Sequence, residues 1–484
     1  MSQKSFRIAA FCSGPLTFLL ILLFVPKDIL GPGSEKALAT ASWMIIWWIT
    51  EAAPIPITAL LPLLLFPFLG VMSMSQAAAP YANPVIFLFL GGFLIALALE
   101  KHRLHERIAL NLIRLTGTSG NGIILGFMAA TAILSMWISN TATAIMMLPI
   151  ATSVVNLIRS DPRQQLHELA PRERNLALGL MLSIGYAATI GGMATLIGSP
   201  PNAVFKGLLE QHYNKAINFG DWMLVGVPVS IALLASTYLI VTRILFPNRI
   251  KKVDGTDLLL RERLHALGPI SSTEKRILAI FAFTSLLWIT QEGINAILGR
   301  SLLNDTNVAM LGGVLMFLVP DDLSKMRFIL DWKDTQLLQW GILLLFGGGL
   351  CLATGLQNTG IIQTLGLWIA ERSAFDAKLI LFLIVASVLL TEVMSNVALV
   401  QIFVPVIFGI ADGLGANPIM LALPVTLGSS IAFMFPISTP PNAIVFSSGY
   451  IRVKDMARAG ILLNLVSVLI IFLFSLTVVK WVFG

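Results

Sequence analysis

The pattern Ser-x-x-x-Ser-Asn occurs at Ser135-Met136-Trp137-Ile138-Ser139-Asn140. It returns, with Thr for the first Ser, at Thr391-Glu392-Val393-Met394-Ser395-Asn396. The copies stand 256 positions apart, and each interrupts a long apolar stretch. Hydroxyls and amides inside lipid-length hydrophobic sequence are costly unless they face partners, so such a cluster reads as a functional site. Its duplication points to a transporter built from an internal repeat, with its site where the repeats meet.

The surrounding sequence makes the polar motifs conspicuous. Hydrophobic residues make up 56% and charged residues 12%, with a mean hydropathy of +0.85. A soluble chain carries about 25% charged residues. Runs such as Phe6–Pro26, Trp222–Pro247 and Ile461–Phe483 exceed the roughly 18 residues that cross a bilayer. The expected class is an all-α polytopic membrane protein with about 11 transmembrane helices. The first run follows Lys4 and Arg7 but lacks a small-x-small cleavage site before Lys27, so it reads as a retained helix rather than a signal peptide.

The net charge of +7 is distributed, not clustered on one surface stripe. Most of the 32 Lys and Arg fall in five connections: Lys101–Arg114, Arg159–Arg174, Arg249–Arg276, Lys325–Lys333 and Arg452–Arg458. That is the positive-inside pattern, which puts these loops and the N-terminus in the cytoplasm of a cell (inner) membrane protein. The positive charge is thus topology, and no nucleic-acid partner is implied; the bilayer is the partner. Arg372 and Lys378 fall on the predicted outer side, against this majority. Cys12 and Cys351 lie far apart without ligand spacing, and no His sits inside an apolar span. With no nucleophile–base pair or metal set in the spans, the chain does not read as an enzyme. The Trp residues read mostly as interface anchors or lipid-facing groups.

Further matches extend the repeat. Trp48-Ile49-Thr50-Glu51 resembles Trp288-Ile289-Thr290-Gln291, and Leu90-Gly91-Gly92 resembles Phe346-Gly347-Gly348. Ser199-Pro200-Pro201-Asn202-Ala203 matches Thr439-Pro440-Pro441-Asn442-Ala443, 240 positions on. The chain enters a basic loop after Gly91-Gly92 but leaves one before Gly347-Gly348, so equivalent helices cross in opposite directions and the repeats are inverted. Between Gly117 and Arg159, two apolar arms surround Ser139–Thr143 with polar flanks on both sides. This segment is expected to enter and return as a re-entrant hairpin, and 377–411 to do so from the other side. Such backbone is tolerated only where protein buries it or a cavity receives it.

The motifs suggest their chemistry. Ser135 with Ser139, and Thr391 with Ser395, share a helical face and can converge oxygens. The Pro-Pro pairs remove two adjacent backbone donors and break the helix, freeing carbonyls at Gly198 and Ser438. A small hard cation takes oxygen ligands and suits the negative C-terminal ends of helices. Free N–H groups at the other half-helices suit an anion. Isolated Ser and Thr in membrane helices commonly bond back to the backbone or help helices pack; two Ser-Asn pairs and two breaks in one register favour an ion and substrate site. Of the carboxylates near apolar runs, Glu51 and Glu392, the latter can carry a proton or bond a neighbouring helix. The Gly pairs read as close helix packing.

Ser139-Asn140-Thr141, Ser395-Asn396, the two Pro-Pro-Asn breaks, and Thr50-Glu51-Ala52-Ala53-Pro54 followed by Thr58-Ala59-Leu60-Leu61-Pro62 resemble the divalent anion/sodium symporter family. The resemblance implies sodium-coupled symport of succinate, malate, fumarate, citrate or sulfate by a homodimer, through an elevator mechanism. Applied here, it makes 1–117 and 276–375 scaffold, 118–247 and 376–484 transport domain, and 248–275 a cytoplasmic linker. It implies a first sodium site of Ser135, Ser139, Asn140 and Gly198. A second would use Thr391, Met394, Asn396 and Ser438. The anion would meet Asn140, Thr141, Asn396, Val397 and Thr439. Val397 departs from the dicarboxylate pattern, which has Thr, and so leaves substrate identity open. A sodium-independent di- or tricarboxylate exchanger, a sulfate symporter, and a sodium/proton antiporter or arsenite-type efflux protein are the competing readings.

Overall fold

Where side chains are this apolar, the backbone must satisfy its own polar groups, and helix is the local solution. The computed structural model describes residues 3–28, 30–158, 170–372 and 374–484; Arg159 and Arg163 of the second basic connection lie outside them. Among the described residues, 9 helices are long and apolar enough to cross a membrane, from Arg7–Phe24 to Val453–Phe483. Shorter apolar helices include Gly120–Ser135, Ala377–Thr391 and Pro418–Ser429. Among the described residues the β-structure is one small antiparallel pair, Pro320–Asp322 with Arg327–Phe328.

Burial separates the helices into two kinds. Within Pro171–Gly192, 94% of the most apolar window is buried, against 11% for Arg7–Phe24. A helix apolar all round and enclosed by protein belongs to a core, whereas the first helix presents its side chains outward, as a lipid-facing helix does. Contrary to the sequence expectation, Trp48, Trp222 and Trp288 are buried core residues. The indoles of Trp222 and Trp288 donate to Met193 O and Asp305 O, each at 3.0 Å, so burial leaves no donor unmade at either ring. The Gly pairs behave as expected: a Cβ on Gly91 would overlap the Ala309 backbone, and one on Gly348 the Ala59 backbone.

Two helix pairs and two broken helices form the centre. In the first pair, Gly120–Ser135 ends and Asn140–Leu157 begins after a short turn, with Ser139 Oγ accepting from Ala142 N at 3.2 Å. The second pair is Ala377–Thr391 and Asn396–Leu414. The first broken helix runs Pro171–Gly192 then Pro200–Tyr213, and the second Pro418–Ser429 then Pro440–Ser447. In both breaks Pro occupies the first helical turn, where a missing N–H costs nothing.

One Asn closes each break. Asn202 Nδ2 donates to Gly192 O (3.0 Å) and Thr195 O (2.8 Å). Asn442 Nδ2 donates to Ala432 O (2.9 Å) and Phe435 O (3.2 Å). Donors and acceptors keep the 240-residue offset seen in the sequence. A buried carbonyl without a donor costs about 1–3 kcal/mol, so each amide removes two such penalties.

Ion pairs join several basic connections. Lys101 Nζ lies 2.7 Å from Asp334, and Arg107 Nε 2.7 Å from Glu274. These pairs tie the Lys101–Arg114 connection to those at Lys325–Lys333 and Arg249–Arg276, so the three share one face. Burial pushes the Asp334 carboxyl up, but the hydrogen bonds from Lys101 and the Asp331 backbone outweigh it and hold the group below the usual carboxylate range.

Asn442→Ala is expected to lower stability by about 2–6 kcal/mol, two freed carbonyls at about 1–3 each, read as a reduced thermal unfolding temperature of the purified protein. Unchanged unfolding would mean that the freed carbonyls find other donors.

Candidate ion and anion site

The turns of the helix pairs and the breaks of the broken helices meet around one cavity of about 820 Å³. That falls within the roughly 300–1,000 Å³ of small-molecule sites. From the first half, Ser139, Asn140, Thr141 and Gly198 line it; from the second, Met394, Asn396, Val397, Ser438 and Thr439 do. Residues 196 to 300 positions apart in sequence are thus brought to one place. Ser135 and Thr391 are not on the wall. They lie fully buried behind it and reach the two motif Asn residues instead.

Oxygen atoms crowd around the first Asn. Ser135 Oγ lies 2.6 Å from both the Asn140 amide and Ala188 O. Turned so that Nδ2 faces this group, the Asn140 amide donates to Ser135 Oγ at 2.6 Å, Ala188 O at 3.1 Å and Gly198 O at 3.2 Å. Turned the other way, Oδ1 joins three other oxygens that share one hydroxyl proton. The first arrangement is satisfied without a cation, and the second calls for one. The same problem recurs at Thr391, whose single hydroxyl proton faces Asn396 Oδ1 (2.8 Å) and Ser429 O (2.5 Å). Oxygen-only ligation of this kind suits a hard cation. Gly192 permits the approach, since a Cβ there would stand 2.5 Å from Asn140 Oδ1.

Helix N-termini face the same cavity. Asn140, Pro200, Asn396 and Pro440 each begin a helix and each line the wall. First-turn N–H groups lack intrahelical partners and carry the positive end of the helix dipole. Ser395 makes no side-chain cap, so the N–H groups at Asn396 and Val397 stay open to an anion. Val397 therefore removes a hydroxyl but not a backbone donor.

The charged lining is one-sided. Glu51 and Glu392 line the cavity, and no Lys, Arg or His does so among the described residues. A dianion entering here meets dipoles and two carboxylates, with no fixed cation to offset its charge.

Several participants escaped the sequence reading. Gln339, immediately before the Trp340–Asn358 helix, donates to Ser139 Oγ at 3.0 Å and lines the cavity. Thr195 Oγ1 donates to Met136 O at 2.5 Å and accepts from Gly198 N at 3.0 Å, fixing the first turn against the first break. Away from the cavity wall, Lys206, within the helix that follows Pro200-Pro201, is buried and pairs with Asp305 at 3.0 Å and Glu210 at 2.8 Å. A lone Lys shortly after a repeat motif was its available signal.

The family described as "Sodium:sulfate symporter transmembrane region" matches residues 10–484. The chain is 40% identical over 475 residues to the sodium-dependent dicarboxylate transporter SdcS of Staphylococcus aureus, covering 97% of this chain and 91% of that protein. Two solved transporters share the fold. YdaH of Alcanivorax borkumensis aligns with a TM-score of 0.57 at 12% identity, over 83% of this chain and 87% of its own. MtrF of Neisseria gonorrhoeae aligns with a TM-score of 0.53 at 11% identity, over 84% of each chain.

Gly192→Ala is expected to displace the Asn140 amide and reduce transport at least tenfold, the scale of about 1.4 kcal/mol. Gly91→Ala, which meets the Ala309 backbone away from the cavity, controls for misfolding, both variants being checked for folding. A Gly192→Ala protein with normal transport would show that the close approach is dispensable.

Proposed function

The chain belongs to the sodium:sulfate symporter family, and from that premise we propose that it carries a divalent anion inward together with sodium ions. The anion is a C4-dicarboxylate such as succinate, malate or fumarate. The relative's sodium-dependent dicarboxylate transport supports that choice, as does a cavity with open helix N-termini. One observation carries the coupling: among the described residues, the cavity lining has carboxylates but no Lys, Arg or His. A dianion in such a site needs co-bound cations, and the oxygen clusters at Asn140 and Asn396 would hold them.

In this reading Ser135, Ser139, Asn140 and Gly198 form the first sodium site. Thr391, Met394, Asn396 and Ser438 form the second, with Met394 and Ser438 acting through carbonyls. The anion lies between Asn140, Thr141, Asn396, Val397 and Thr439. The two helix pairs are re-entrant hairpins of inverted repeats, carried by a transport domain (118–247 and 376–484) that slides as an elevator against a scaffold (1–117 and 276–375). The protein is a homodimer in the inner membrane, with the N-terminus and the 248–275 linker in the cytoplasm. Ion pairs that join three basic connections on one face support this topology. Val397 favours one second reading, sulfate, because it departs from the Thr of the dicarboxylate pattern.

In proteoliposomes, uptake of labelled succinate is expected to collapse when choline replaces sodium. Sodium-independent uptake would reject the coupling, and strong inhibition by sulfate but not malate would select the second reading. Asn140→Ala and Asn396→Ala should each abolish uptake while the protein remains folded. Each amide offers both donors and an acceptor, so either loss weakens cation and anion binding together; near-normal uptake would remove that residue from the site.

A further inference from the structure

Gln339 stands outside every repeated motif, yet its side chain reaches one of them. It directly precedes the Trp340–Asn358 helix and lines the cavity, half-buried. Its Nε2 donates to Ser139 Oγ at 3.0 Å. The chain around it is firmly tied. Leu338 N donates to Thr335 O at 3.1 Å, and Trp340 Nε1 donates to the same carbonyl at 2.8 Å. Ile342 N donates to Gln339 O at 2.9 Å. The amide is therefore presented to the cavity from a fixed support.

The matching position in the first half is used differently. The offset of 256 that pairs Gly91 with Gly347 also pairs Asn83 with Gln339. Both residues directly precede a helix, Pro84–Lys101 in one case and Trp340–Asn358 in the other. Asn83 Oδ1 caps its own helix by accepting from Val85 N at 2.9 Å. Gln339 makes no such cap, and its longer side chain crosses to Ser139 instead. A capping side chain stabilises its own helix start, so this amide serves something else.

What it does to Ser139 follows from the capacity of a hydroxyl, which has one proton to donate and two lone pairs that accept. Ser139 Oγ already accepts from Ala142 N at 3.2 Å, so the Gln339 amide fills its second lone pair. Only the proton remains, and among the described residues no acceptor takes it. Ser139 lines the cavity, so that proton is available there to an anionic oxygen. A donor directed before the anion arrives avoids the cost of ordering it on binding. Without Gln339 one lone pair is free, and the hydroxyl is no longer committed to donating into the cavity.

We propose that Gln339 is a positioning residue of the anion site, which fixes the Ser139 hydroxyl as a donor to a substrate carboxylate. This rests on the dicarboxylate reading above. It also divides labour within the first motif. While Gln339 is in place, Ser139 Oγ has no lone pair for a cation, and the oxygens of Ser135, Asn140 and Gly198 are left to hold it. Gln339 lies in the stretch read as scaffold and Ser139 in the stretch read as transport domain. The donor is therefore set only in the arrangement that brings the two together.

The test is equilibrium binding of labelled succinate, at saturating sodium, to the purified full-length protein. Gln339→Met keeps the length of the side chain and removes its N–H groups. It should weaken succinate binding about tenfold or more, the scale of one hydrogen bond to a charged group. Binding of radioactive sodium without succinate should be retained or tightened in the same variant. Residues that act through one another are not additive, so adding Gln339→Met to Ser139→Ala should weaken binding by less than about twofold further. Unchanged succinate binding in Gln339→Met overturns the proposal. So does a parallel loss of succinate and sodium binding, which marks a merely structural role, and so do effects that multiply in the double variant. If Ser139→Ala binds no succinate, the comparison of succinate with sodium in Gln339→Met decides alone. A wild type that binds no succinate would contradict the dicarboxylate reading, and this proposal with it.

Discussion

A backbone that stops being helical among apolar helices must find its hydrogen-bond partners within the protein. Everything distinctive about this molecule follows from that constraint. The two breaks are made by Pro-Pro pairs and closed by Asn202 and Asn442, which bind the carbonyls on the near side of each break. With those carbonyls occupied, the remaining polar atoms at the breaks and turns are free to face a cavity. The site is therefore a product of how the fold repairs itself.

The electrostatic character of the cavity follows from its parts. Helix C-terminal ends and motif oxygens give negative spots near Asn140 and Asn396, while helix N-termini give positive ones nearby. Among the described residues no Lys, Arg or His lines the cavity, whereas Glu51 and Glu392 do. Buried charges in a protein are normally paired; in the proposed cycle the pairing partners come from solution. Sodium and dianion each supply what the other lacks, which is a physical basis for obligatory coupling.

Much of this was legible in the sequence. The doubled Ser-Asn and Pro-Pro-Asn motifs marked the residues that line the cavity, because a helix break and a polar cluster leave local signatures. Helical content followed from apolar run length. Other features depend on tertiary neighbours and left little trace. Ser135 and Thr391 look like wall residues from helical periodicity, yet they stand behind the motif Asn residues. Gln339 reaches Ser139 across 200 positions of chain. Trp48, Trp222 and Trp288 are buried because aromatic side chains pack equally well in lipid and in protein, which sequence does not distinguish. Glu392 accepts from Phe433 N, Met434 N and Asn464 Nδ2, residues that no motif singled out.

The central claim is that sodium and a dicarboxylate stabilise each other in one cavity that lacks fixed cations. Linkage requires the effect to be reciprocal. The direct measurement is equilibrium binding of radioactive sodium to the purified protein, with and without saturating succinate. The account predicts that succinate raises sodium affinity by the same factor by which sodium raises succinate affinity. Sodium binding that is indifferent to succinate would contradict it.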